Sequence, residues 1–319
     1  MTGVSPAYFL SRSGPGFGPG ELVSGLPFLA ETGFEAFQAE VFLESALPLW
    51  TKDATKAVAA SAREKGLHCS TFVAHFLGSV FSSGSTLGKG FPLDQAKAAV
   101  DIASLTMTNP DSSQSGMPVF VVPVPAFAQP KTPGARKQLE AKAGSRFRDI
   151  IGTLLSLCDK AGFRLALELL PGNVLGGSAA FMKLVAEPGF SDLGLLLDTG
   201  HFWAMGERVQ DLPRTLGSHI VATHLCDNDG VTNLSLCPGD GTIPFQATLR
   251  ALREAGYPGS LDLEIVCPKD QVEVEYSRAF TQFSQLADTA SALSSSTPHP
   301  DHLHIAGSHT INTAYKETI

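Results

Sequence analysis

Short apolar runs alternate along the whole chain with longer segments of helical period. Eight runs have strand character: PAYFLS (6–11), FEAFQAEVF (34–42), LHCSTFVAH (67–75), PVFVVPVP (118–125), RLALELL (164–170), LGLLLD (193–198), HIVATHL (219–225) and SLDLEIV (260–266). Between them apolar residues recur at three- and four-residue spacing. Phe147, Ile150, Ile151, Leu154, Cys158 and Ala161 form one such stripe over 145–161, with Gly162 as its stop. Tyr276, Ala279, Phe280, Phe283, Leu286, Ala290 and Leu293 form another over 271–293. Strands that are almost continuously apolar are buried on both faces, as in a parallel sheet covered by helices. Eight β/α units in series predict an α/β fold, a (β/α)8 TIM barrel, in preference to an open sheet. One barrel domain over 1–293 accounts for the pattern, leaving 294–319 as a C-terminal tail.

Three stretches break the rhythm. SRSGPGFGPGE (11–21) reads as a rim loop after the first strand, because its prolines lack the N–H groups of a phosphate cradle. SSGSTLGKG (82–90) is not a P-loop: only three residues separate Gly84 from Gly88, and Gly90 stands where Ser or Thr should follow Lys89. The serine-rich tail holds His299, His302, His304 and His309 without periodicity, and reads as a flexible or partner-docked arm through which a homo- or hetero-oligomer could form.

Composition narrows the function class. The chain has 319 residues, 43% of them hydrophobic, enough for one large core with no second domain required. Its net charge of −8, with Lys and Arg scattered, offers no basic stripe for a phosphate backbone, so small-molecule chemistry is expected and nucleic acid is not. Five cysteines without a C-x-x-C pair suit free thiols in a reducing compartment. MTGVSPAYFLS has no basic region followed by an apolar stretch, and no apolar run reaches the ~20 residues of a membrane span. A cytoplasmic protein without membrane contact is expected.

In such a barrel, chemistry gathers at the C-terminal ends of the strands. Those positions hold Glu168, Asp198, His224 and Glu264, one from each of the last four strands. Three carboxylates and an imidazole are costly to bury together without a cation. One divalent ion resolves the conflict, Mn2+ foremost, with Mg2+, Co2+ or Zn2+ as alternatives, because oxygen-rich ligation with one nitrogen suits an open six-coordinate site. In L-D-T-G-H, Asp198 then ends its strand as a ligand, and His201 faces a substrate hydroxyl or a second ion; alternatively Asp198 caps the next turn and His201 packs under Trp203. Trp203 and His75 are further candidate substrate contacts, with core packing the competing reading for each. His68 and His219, at strand starts, read as structural, Asp227 and Asn228 as residues that orient His224, and Glu44 and Trp50 as possible rim residues.

E-L-L-P-G-N, L-D-T-G-H, T-H-L-C-D-N, C-P-G-D-G-T-I-P-F and G-Y-P-G-S-L-D-L-E-I, in this order, resemble the xylose-isomerase-like TIM-barrel superfamily, strongly over 160–268 and in general outline over 1–130. That group includes sugar isomerases, ketose 3-epimerases, inosose and dehydroshikimate dehydratases, C-glycoside deglycosidase subunits and abasic-site nucleases. The resemblance implies metal ligation by Glu168, Asp198, His224 and Glu264, with His201 beside the substrate. The nucleases carry an Asp-x-His pair where this chain has Asn233 and Ser235, and VFVVPVP lacks a metal-binding histidine. The arginine that ketose 3-epimerases present after the seventh strand is also missing from DNDGVTNLSLCPGDG.

The expected activity is therefore metal-dependent isomerisation or epimerisation of a carbohydrate. Glu168 and Glu264 would act as acid and base at a carbon next to a carbonyl. A lyase or dehydratase shares the same first half-reaction, and a non-catalytic or partner-dependent barrel subunit is the reading from another class.

Overall fold

The computed structural model describes residues 1–107, 117–128 and 133–295, so the predicted tail falls outside the described residues apart from its first two positions. Eight parallel strands form the sheet: β1 (Thr2–Val4), β2 (Ala36–Glu40), β3 (His68–Val73), β4 (Val119–Val124), β5 (Arg164–Leu169), β6 (Gly194–Asp198), β7 (Ile220–His224) and β8 (Leu261–Leu263). Neighbours in sequence are neighbours in space, and β8 returns to lie beside β1. Across the last seam, Leu225 N–H donates to the Asp262 carbonyl at 2.8 Å and Glu264 N–H to the Leu225 carbonyl at 3.0 Å. The result is a nearly closed TIM barrel. Its crossovers carry helices such as Pro19–Thr32, Lys52–Glu64, Pro133–Lys160 and Val272–Ser295. Gly162, at φ 78°, supplies the left-handed turn that ends the third of these as its position predicted.

Seven of the eight expected strands occupy their segments, with ends shifted by a few residues. The first does not. β1 is the three-residue Thr2–Val4, while most of PAYFLS lies in the helix Ala7–Ser13, opened by Pro6 at φ −59°. Ala7, Tyr8 and Phe9 are all buried there, so the run is apolar without strand or helix period, and a short apolar run does not reveal which it is. The Gly-Pro segment consequently joins two helices, Ala7–Ser13 and Pro19–Thr32, and does not follow a strand. Within SSGSTLGKG, Ser83 caps the short helix Gly84–Gly88 by accepting from the Thr86 N–H at 3.1 Å.

Alternation along the strands divides the core in two. Leu165, Leu167, Leu195 and Leu197 face the helices within the large outer core. Val73, Val119, Val121, Ala166, Leu196 and Ala222 form a separate apolar plug inside the barrel. One step of the alternation beyond Ala166, Leu196 and Ala222 stand Glu168, Asp198 and His224. The plug is thus the floor on which the polar residues rest. Tyr276, fully buried on Val272–Ser295, pins the chain just after β8: its hydroxyl donates to the Ile265 carbonyl at 3.0 Å and accepts from the Ile265 N–H at 3.2 Å. Tyr276→Phe leaves the Ile265 N–H unpaired and its carbonyl with only the Ser11 hydroxyl at 3.5 Å, and is expected to cost about 1–3 kcal/mol. Urea denaturation of the two proteins checks this, and an unchanged midpoint would show that the bonds are replaced.

Candidate active site

Glu168, Asp198, His224 and Glu264 converge at the mouth, with one donor atom from each lying within 4.8 Å of the others. His224 Nδ1 lies 2.7 Å from Glu264 Oε2, 3.1 Å from Glu168 Oε1 and 3.9 Å from Asp198 Oδ2. His201 Nδ1 approaches the same group, 3.4 Å from Asp198 Oδ2 and 3.7 Å from Glu168 Oε1. Asp198 turns its two carboxylate oxygens in different directions. Its Oδ1 caps the helix Thr199–Ala204, accepting from the His201 N–H at 2.7 Å, while its Oδ2 turns into the cluster. Asp198 Oδ2 and His201 Nδ1 are buried without any hydrogen-bond partner. An orphaned carboxylate oxygen in a cluster of four ligand-type residues, with an orphaned imidazole nitrogen beside it, fits a bound divalent cation.

The electrostatics follow from burial and close charge. Burial disfavours the charged form of Glu168, but the charge and hydrogen bond of His224, with His201 and His75 beyond, hold its carboxyl below the usual range. Asp198 is pushed up to about 6, chiefly by burial and then by Glu264 and Glu168, against the pull of His201. Burial alone would lower His224; Glu264 and Glu168 override it and raise the imidazole well above its ordinary value. A proton on His224 therefore occupies the place that a metal ion would take.

The other candidates divide. His75 opens the turn after β3 and stacks on Phe42 at 4.1 Å, near enough to Glu168 to influence its charge. Trp203 is half-buried and its indole N–H donates to Thr242 Oγ1 at 2.9 Å, which ties it to the loop after β7; Phe202 is fully buried in the core. His219 Nδ1 lies 2.9 Å from the Leu193 carbonyl at the strand starts, in keeping with a structural role. Asp227 and Asn228 do not orient His224. Asp227 accepts from the N–H groups of Asn228, Gly239 and Ile243, and Asn228 Nδ2 donates to the Gly200 carbonyl at 2.8 Å, so the pair braces the loops. Glu44 is exposed and accepts from Gln95 Nε2, while Trp50 is buried against Phe72.

Sequence reasoning overlooked three buried polar residues. Glu40 ends β2, and its carboxyl is raised well above the ordinary value by burial and by Glu168 and Glu264. Gln38 and Asp262 are completely buried. Their signal was present: Q-A-E and D-L-E each place two polar residues at period two inside an apolar strand, which puts both on one face.

A family model described as the xylose isomerase-like TIM barrel matches residues 26–284, and the chain belongs to that family. Among curated relatives, inosose isomerase of Halalkalibacterium halodurans is 26% identical over 158 residues, 47% of this chain and 54% of that protein. Inosose isomerase of Bacillus subtilis is 27% identical over 129 residues, 38% of this chain and 46% of that protein. The similarity thus spans about half the length of these relatives. The fold is shared with L-ribulose 3-epimerase (TM-score 0.68, 15% identity, covering 93% of this chain and 98% of that one). It is shared also with the IolI protein solved with a bound zinc atom (TM-score 0.63, 18% identity, 92% and 97%).

A cation entering this site must displace the His224 proton. Because that proton is held above the ordinary imidazole pKa, affinity for Zn2+ is expected to rise with pH, about tenfold per unit while His224 remains protonated. Titration against a chromophoric chelator at about pH 6 and about pH 8 measures it. Equal affinity at both would remove His224 from the ligand set.

Proposed function

We propose that the protein is a divalent-metal-dependent sugar isomerase or epimerase that moves a proton at a carbon next to a carbonyl. The observation that carries this reading is the convergence of Glu168, Asp198, His224 and Glu264, with Asp198 Oδ2 and His201 Nδ1 buried and unpaired. The inosose isomerase relatives and the epimerase neighbours support the same class of reaction.

Glu168, Asp198, His224 and Glu264 would hold the ion. Once bound, it supplies a Lewis acid that stabilises negative charge on adjacent carbonyl and hydroxyl oxygens. Zn2+ and Mn2+ both fit the donor set of three oxygens and one nitrogen, and the zinc in IolI makes Zn2+ the first ion to test. The proton transfer falls to the protein. Glu168 and Glu264 each have a second carboxylate oxygen available as acid or base. Glu264 is the less buried of the two, with 13% of its side chain accessible, and can exchange its proton with water. His201 lies where it can donate to a substrate hydroxyl, held by the Asp198 cap. His75, on its Phe42 platform, is placed to meet the same substrate from β3.

Glu264→Gln keeps the side-chain volume and removes the proton-accepting oxygen, so turnover of a converted ketose or inosose should fall about 10²–10⁴-fold with the circular dichroism spectrum unchanged. A variant that keeps the wild-type rate would exclude Glu264 as acid or base. The same substrate turned over in D2O should gain deuterium at a single carbon, read by NMR. Full retention of protium over many turnovers would instead indicate a hydride shift and overturn proton transfer.

A further inference from the structure

We propose that Gln38 and Asp262 are positioning residues, forming a buried strut from β2 and β8 that fixes the tautomer and the orientation of the His224 ring. This rests on the metal-site reading above and extends it to residues that touch neither ion nor substrate.

The argument is one of donors and acceptors. Gln38 Nε2 lies 2.8 Å from Asp262 Oδ2 and 3.3 Å from the Thr223 carbonyl. A carbonyl can only accept, so the face of the amide turned toward Thr223 and Asp262 is its NH2. The opposite face is therefore the oxygen, and Gln38 Oε1 lies 3.0 Å from His224 Nε2. An amide oxygen also only accepts, which places a proton on Nε2. In the neutral ring this leaves Nδ1 as a bare lone pair, and Nδ1 is the atom that faces Glu168 and Glu264. Reversing the amide would set NH2 against Nε2 and favour the tautomer that cannot bind a metal through Nδ1.

The strut is itself secured. Ser260 Oγ donates to Asp262 Oδ2 at 2.7 Å, and Ser70 Oγ approaches the same oxygen at 3.4 Å. Gln38, Thr223 and Asp262 are wholly buried, in a barrel interior otherwise filled by the apolar plug. β1 lies between β2 and β8 and would block the bridge with any side chain. It carries Gly3 there: a Cβ at Gly3 would overlap Asp262 Oδ1 and come within 2.9 Å of Ala36. A buried carboxylate, an amide that crosses an intervening strand and a glycine that lets it through form one arrangement, whose outer end is a ring nitrogen of His224. The partner of a ligating imidazole's second nitrogen orients the ring and raises its basicity, and losing it typically weakens metal binding about 10–100-fold.

The test uses the full chain, Zn2+ alone and two variants. Gln38→Met keeps length and removes all three side-chain hydrogen bonds, whereas Asp262→Asn keeps an acceptor for the Gln38 amide. Gln38→Met should weaken Zn2+ binding about 10–100-fold in chelator competition. Its His224 Nε2–H proton, slowly exchanging in the wild type, should be lost from the NMR spectrum. Asp262→Asn should stay within about threefold of wild-type affinity and keep that resonance. Zn2+ affinity in Gln38→Met within about twofold of wild type would overturn the proposal. So would a wild-type ring without a protected Nε2–H. If wild-type protein bound no Zn2+, the metal reading would fall, and slow exchange of the Nε2–H in the metal-free protein would still decide for or against the strut, because a protonated ring carries that hydrogen in either case and only a hydrogen bond protects it. That resonance decides it equally if Gln38→Met does not fold.

Discussion

Three carboxylates crowded around one imidazole nitrogen, two of them buried and Glu264 nearly so, are the constraint that orders this protein. Each costs solvation free energy on leaving water, and each repels the others at the short distances of the cluster. The arrangement persists because positive charge can be placed among them. His224 is held protonated by Glu264 and Glu168, Glu168 is kept ionised in turn, and Asp198, with less compensation, is pushed toward its neutral form. One group of residues thus shows three different responses to the same burial. The unpaired Asp198 Oδ2 and His201 Nδ1 are what a single proton on His224 leaves unsatisfied.

The barrel supplies this geometry by stagger. Asp198 pairs with His224 across β6 and β7, but Glu168 pairs with Leu196, two residues short of Asp198. The donor atoms meet because inclined strands bring staggered positions to one level. Below them the apolar plug prevents the polar groups from sinking into the barrel, and β7 and β8 meet across a seam of two backbone hydrogen bonds beside Glu264, with Thr223 Oγ1 bonded to the Ser260 carbonyl and the Asp262 N–H below. That seam is reinforced from outside by Tyr276, which holds Ile265.

The loop after β7 supports the site. Asp227 gathers the N–H groups of three residues into one carboxylate, and Asn228 reaches back to the Gly200 carbonyl in the turn between Asp198 and His201. Thr242, whose hydroxyl meets both Trp203 and the Asn228 carbonyl, joins the same frame. The D-T-G-H turn is therefore braced by the D-N that follows the next strand. This explains why the two motifs occur together without Asp227 or Asn228 touching the imidazole of His224.

Much of this was legible in the chain itself. Seven strands, the two long helical stripes and the four mouth residues could be read from period two, period three to four and the polar residue that ends each apolar run, because these are local consequences of side chains having to face core or solvent. The first strand could not: Thr2–Val4 is too short to show a period, and the apolar Tyr8 and Phe9 beside it belong to a helix that buries them. Nor could Gln38, Asp262 and Gly3 be linked, since they lie on three different strands and their relation depends on the closure that sets β8 against β1. Sequence alone determined which residues leave the apolar pattern and on which side of each strand they stand. Only the tertiary structure decided which of them meet, because hydrogen bonds and charge pairs are fixed by stagger and barrel closure, and neither is written in any single segment.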